Sequence, residues 1–144
     1  QDLNIAKVIL LIDFWWEQYI VPFSRRNYHQ LNDWSKKPNA YILPTDSEYE
    51  AMTKAKKSGE YDRYKAVNLK NTHTVEFRFF RGTLRRDTII ASIQFIDTLI
   101  KYISGVKLEE LWDKTWKDVF GNTQHAELKD YLQKRRLLDE SEEI

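Results

Sequence analysis

Only one stretch of this chain departs from helical spacing, and it limits what the rest can build. Tyr64 to Leu69 and Thr74 to Phe80 are strand-like runs separated by Lys70-Asn71-Thr72-His73, a connection that suits a β-hairpin. In the second run Val75, Phe77 and Phe79 alternate with Thr74, Glu76, Arg78 and Phe80. One face therefore reads as core, and the other sets an acid beside a base. A lone hairpin is marginal in water and needs further strands or a helical cover. The flanking sequence is helical, so the expected fold is α+β: an antiparallel β-hairpin covered by helices, mostly helical by residue count and carrying only part of a sheet.

The helices are read from apolar residues recurring at threes and fours. The first runs from Leu3 to Val21, with Asp2 as N-cap and Pro22 as its stop. Ser24 caps a second, with Tyr28, Leu31 and Trp34 on one stripe, until Lys37 and Pro38 break the pattern. Residues 38–45 read as loop. Ser47 and Glu50 form a capping box for a helix reaching Ser58, before Gly59. Beyond the hairpin, Asp87 caps a helix with the stripe Ile89, Ile93, Ile96, Ile100 and Ile103, widened by Ile90 and Leu99 and closed by Gly105. Leu108–Phe120 and Thr123–Leu138 read as two more. No repeat or linker divides the chain, which reads as one unit: 1–60 helical, 61–82 hairpin, 83–138 helical, and 139–144 a fraying acidic tail.

Composition removes whole classes of function. The chain has 144 residues, enough for one core. Its 23 basic and 22 acidic residues give a net charge of +1, which argues against a protein devoted to coating nucleic acid or an anionic membrane. The absence of cysteine excludes disulfides, zinc ribbons and thiol nucleophiles. His29, His73 and His125 lie too far apart for zinc-ligand spacing, and His73 reads as a solvated turn residue. The longest apolar run, Val8 to Ile12, is too short to span a bilayer, and no charged leader precedes a cleavable segment. The expected location is cytoplasmic. Four glycines exclude a glycine-loop nucleotide fold, and no serine or threonine has a histidine and an acid beside it for acyl-enzyme chemistry. Trp15, Trp16, Trp34, Trp112 and Trp116 read as core, and Lys54, Lys56 and Lys57 as a solvated helix face.

The candidate chemistry lies between Arg63 and Leu84. Glu76 and Arg78 are two apart on a strand, so they share a face with Cα atoms roughly 6.5 Å apart. A carboxylate there can take a hard metal ion, and a guanidinium can take a phosphate or carboxylate in a fork. Arg63, on the partner strand, reaches the same neighbourhood in simple register. The same pair also reads as an ion pair on a solvated sheet face, which contributes little stability. The residues by themselves leave both readings open.

The segments R-Y-x-A-V-N-L from Arg63 and T-V-E-F-R-F-F-R-G-T-L from Thr74, followed by a helix rich in isoleucine and phenylalanine, resemble the C-terminal part of the amidoligase family. These are ATP-dependent carboxylate-amine ligases of the glutamine synthetase and glutamate-cysteine ligase superfamily. Phe23-Ser24-Arg25-Arg26 also resembles that family, and the likeness covers residues 1–105. The resemblance implies part of a glutamine synthetase-like sheet, with ATP and Mg2+ as cofactors. It makes Glu76 a magnesium ligand, Arg78 a catalytic and ATP-binding clamp on the transferred phosphoryl or acyl phosphate, and Arg63 a contact to nucleotide phosphate. Arg25 and Arg26 become candidates for substrate binding. The substrates would be a small-molecule or peptide carboxylate and an amine, joined into an amide or isopeptide through an acyl phosphate.

The chain departs from the family in lacking the paired-glutamate strand that completes the metal site. Glu48-Tyr49-Glu50 has the letters but reads as a helix start. The expectation is an incomplete catalytic domain, with the rest of the ligase domain or another chain completing the sheet. Opening on Gln1 rather than methionine points the same way, to processing or to a longer protein. The alternative class is a non-enzymatic, phage-like or mobile-element module that contacts protein or nucleic acid through Arg81, Arg85 and Arg86.

Overall fold

Helix α1 (Asp2–Phe14) is buried without a break from Ala6 to Ile12, as expected of a helix that is apolar all round and surrounded by others. The computed structural model describes residues 2–60, 62, 64–71 and 74–138. Around α1 lie α4 (Glu48–Glu60), α5 (Arg86–Ser104) and a 3-10 turn, Leu108–Asp113. Lys7 is the polar exception in the buried run, and its Nζ donates to the Ile103 carbonyl at 3.0 Å. A cation at the C-terminal end of α5 is favourably placed, because the last carbonyls of a helix lack partners and carry partial negative charge.

Pro22 does not stop the first helical run. A π turn, Trp16–Ile20, takes up one extra residue, with the Ile20 N–H reaching the Trp15 carbonyl at 3.0 Å. Pro22 then sits in the first turn of α2 (Val21–Ser24), where a missing N–H costs nothing. The run ends instead at Arg25, with a left-handed φ of 58°. Helix α3 (Tyr28–Trp34) is capped by Asn27 and Gln30 rather than by Ser24. The Ser24 hydroxyl donates to the Val21 carbonyl and accepts from the Arg26 N–H. Of the expected stripe only Leu31 is buried, while Tyr28 and Trp34 are exposed. Trp15, Trp16 and Trp116 are core as expected.

The Ser47–Glu50 capping box forms as expected, but α4 continues through Gly59 to Glu60. The hairpin ladder is shorter than the strand-like runs. Strand β1 (Val67–Asn68) pairs antiparallel with β2 (Glu76–Phe77), Val67 opposite Phe77 and Asn68 opposite Glu76. The residues before β1 are spent elsewhere, because Lys36 forms a parallel bridge with Lys65. Regular strand ends at Phe77, so Phe80 leaves the Glu76 face and packs against Phe23, Phe79 and Phe95.

Of the expected stripe on α5, Ile103 and Leu99 face the core, but the helix is turned so that the N-terminal isoleucines do not. Its buried residues are Thr88, Ala91, Phe95, Leu99 and Ile103, while Ile89, Ile93 and Ile100 are exposed. The core it meets is aromatic: Phe95 stacks on Phe120 at 4.8 Å and touches Phe23 at 4.5 Å and Trp116 at 5.7 Å. Burying a phenylalanine among rings outweighs burying an isoleucine, since area and ring geometry both contribute. Arg85, not Asp87, holds the N-cap position, and Asp87 lies in the first turn. The expected helix from Leu108 divides at Lys114-Thr115 into the 3-10 turn and α6 (Trp116–Phe120), which has its own Thr115–Asp118 capping box. Helix α7 (Ala126–Lys134) is shorter than expected and packs on α5. The tail 139–144 lies outside the described residues. Among those described, no helix is long and apolar enough to cross a membrane.

Candidate functional site

Asn68 lies directly opposite Glu76 in the ladder, and Arg78 follows two residues on, so hairpin geometry alone brings three polar side chains together. Glu76 Oε1 accepts from Asn68 Nδ2 at 3.2 Å and from Arg78 Nη1 at 2.9 Å. Arg78 is held on two more sides: its Nε donates to the Trp34 carbonyl at 3.2 Å, and its guanidinium lies 5.6 Å from the centre of the Tyr64 ring. The Arg78 bond, and after it the Asn68 bond, holds the Glu76 carboxyl below its ordinary range against the opposing effect of burial. Glu76 is therefore a carboxylate at neutral pH.

Arg26 stands behind this pair. Its Nη1 donates to the Arg78 carbonyl at 3.2 Å and to Ser35 Oγ at 3.0 Å, and the Ser35 hydroxyl donates to the same carbonyl. Burial first, then the neighbouring Arg78 and Arg81 guanidiniums, lower the Arg26 pKa. No carboxylate pairs with Arg26 among the described residues. Arg26 flanked by the Arg78 and Arg81 guanidiniums, with one strand carboxylate bonded to Arg78, forms a locally positive surface that favours a bound anion.

The other expected residues distribute differently. Arg25 lies near the Tyr131 hydroxyl on α7, which itself donates to the Phe23 carbonyl. Arg63 and His73 lie outside the described residues. Arg81 is exposed rather than on the core side, and its Nη1 donates to the Arg25 carbonyl at 3.4 Å. Arg86 lies near the Glu127 carboxylate of α7. Lys54 and Lys56 are tied to Asp46 and Asp2. Asn68 was legible in advance as a strand residue, but its role follows only from the register. Ser35 gave no signal, because its contact with Arg78 spans 43 residues.

Among the described residues Glu76 is the one carboxylate bonded within this cluster, and no group of three or more His, Cys, Asp or Glu could hold a metal ion. A resident metal does not fit these residues. Magnesium that arrives with a nucleotide does fit, since it is commonly bound by one or two carboxylates together with substrate phosphates and water. Compared with protein-family models, curated proteins and solved structures, the chain matches none of them.

Proposed function

We propose that this chain is the phosphate-clamping part of an ATP- and magnesium-dependent carboxylate-amine ligase, with the remaining carboxylates of the site supplied from outside these residues. The observation that carries the reading is the contact of Glu76 with Arg78 on one strand face, backed by Arg26. In such a reaction a carboxylate oxygen attacks the γ-phosphorus of ATP and ADP leaves. An amine then attacks the acyl carbon and phosphate leaves. Metaphosphate-like charge on the transferred group calls for fixed positive charge rather than covalent help. Arg78 suits that role: its Nε and Nη1 are spent within the protein, so its orientation is set before a ligand arrives and Nη2 is the donor left for a phosphate oxygen. Arg26 adds a second guanidinium, with no carboxylate paired to it among the described residues. Magnesium entering with the nucleotide would supply Lewis-acid screening of the phosphates, with Glu76 as its protein ligand.

The test is magnesium-ATP binding by calorimetry and thermal melting. At a nucleotide concentration of about 100 times Kd, the expected rise in melting temperature is about 5–10 °C. Arg78→Lys keeps the charge but loses the planar group that bonds Trp34 and Glu76 while offering Nη2 to the ligand, and is expected to weaken binding at least about tenfold. Glu76→Gln is expected to lose the part of affinity that depends on magnesium. No shift for the unaltered chain, or an equal shift for Arg78→Ala, overturns the proposal.

A further inference from the structure

Strand β2 has a neighbouring strand on one side only among the described residues. The Arg78 N–H donates to the Ala66 carbonyl at 2.8 Å, and this sets the phase of the ladder. Glu76 and Arg78 turn their backbone groups toward β1, and alternation turns those of Val75 and Phe77 to the open side, while Phe79, beyond the regular strand, is fully buried. Neither Val75 nor Phe77 makes a backbone hydrogen bond to a described residue outside the hairpin. Beside the open edge runs a groove of about 680 Å3, lined mostly by apolar side chains, Phe77, Phe80, Ile93 and Ile96 among them, with Glu76, Ser92 and Asp97 as its polar residues. Ile93 is 65% exposed. An unpaired strand edge flanked by an apolar face is a surface proteins ordinarily cover.

We propose that a second copy of this chain covers it, β2 pairing with β2 across a two-fold axis at Phe77. The edge is its own complement. In antiparallel pairing about Phe77, Glu76 of each copy lies opposite Arg78 of the other, giving two cross-strand pairs of opposite charge. Parallel pairing in the same register would set Glu76 against Glu76 and Arg78 against Arg78. The outward N–H and C=O of Phe77 then form a mutually hydrogen-bonded pair with those of its symmetry mate, and the exposed isoleucines of the two α5 helices lie along the same interface. A two-fold interface requires self-complementarity of this kind.

Sedimentation of the full chain tests this, and it reads mass whether or not the chain binds ATP, so its outcome is separate from that of the ligase reading. At about 100 μM the expected mass is twice the 17.4 kDa of one chain, falling toward a single chain on dilution. Glu76→Arg and Arg78→Glu each set like charges opposite one another and are expected to sediment as monomers. Mixed in equal amounts they are expected to regain dimer mass, because one brings two arginines and the other two glutamates. Ile93→Lys, at an exposed position, is expected to be monomeric with an unchanged circular dichroism melt, and it carries the test if the reversals do not fold. An unaltered chain that stays at 17.4 kDa overturns the proposal. So does a dimer that the reversals and Ile93→Lys leave intact, or folded reversals that stay monomeric when mixed.

Discussion

Gly59 packs so closely on Leu69 that a Cβ built on it would lie 2.6 Å from the leucine Cγ. At the same place the Gly59 carbonyl accepts the Leu69 N–H at 2.9 Å. The last turn of α4 thus docks directly on the end of β1, and the glycine is there for approach, inside the helix and not after it.

Gly59→Ala is therefore expected to destabilise by about 1–3 kcal/mol, although alanine in an open helix would gain nearly 1 kcal/mol over glycine. Urea unfolding of Gly59→Ala, Leu69→Ala and the double variant measures the coupling. The cost of alanine at 59 should largely disappear once Leu69 is shortened.

The inward face of α5 gives a second contrast. Phe95→Ala is expected to cost about 3–5 kcal/mol, since Phe95 is fully buried among rings. Ile93→Ala, studied at low protein concentration so that any dimer is dissociated, is expected to change stability by less than about 0.5 kcal/mol. Comparable losses at the two positions would mean that α5 presents its isoleucines to the core.

Asp13 accepts the Asn39 and Ala40 N–H groups at 2.8 and 2.9 Å, and so braces a loop in which Asn39 and Tyr41 hold left-handed φ of 52° and 58°. Burial raises its carboxyl above the ordinary range, outweighing those amide bonds and the Lys37 and Lys65 charges that lower it. The folded chain thus keeps a proton that the unfolded chain releases near pH 3.9. Its contribution is complete below that pH and is lost as pH rises through the folded value. Asp13→Asn retains one acceptor and removes the titration. Its melting temperature, relative to the unaltered chain, is expected to improve as pH rises above about 4, through the raised folded value. A difference that does not move with pH would show that Asp13 does not titrate in this way.

Asn27 and Gln30 exchange two hydrogen bonds at the start of α3, at 2.8 and 3.1 Å. Asn27→Ala is expected to cost about 1 kcal/mol in denaturant unfolding. Because α3 leads into Ser35, which bonds the Arg78 carbonyl, the same variant should also weaken magnesium-ATP binding if the ligase reading holds.

Much of the architecture was legible from spacing. The order of helices, hairpin and helices, the Ser47–Glu50 box, the Gly105 stop and the Glu76–Arg78 pairing all follow from local rules, because each involves residues within about ten positions of one another. The exceptions share a cause. Pro22 sits inside a helical run because a π turn ahead of it takes up a residue. Phe80 left its expected face because aromatic partners at Phe23 and Phe95 drew it in.

What the sequence determined by itself was which residues could be helical, where one hairpin would fall, and that an acid and a base two residues apart would meet on it. Only the tertiary structure decided which side of α5 is core, since Ile89–Ile93–Ile96–Ile100 and Ala91–Phe95–Leu99–Ile103 have equally good helical spacing and differ only in what stands opposite. It also decided that Arg26 and Ser35, 52 and 43 residues from Arg78, close behind the pair. Period and propensity act along the chain, whereas burial and charge pairing act through space.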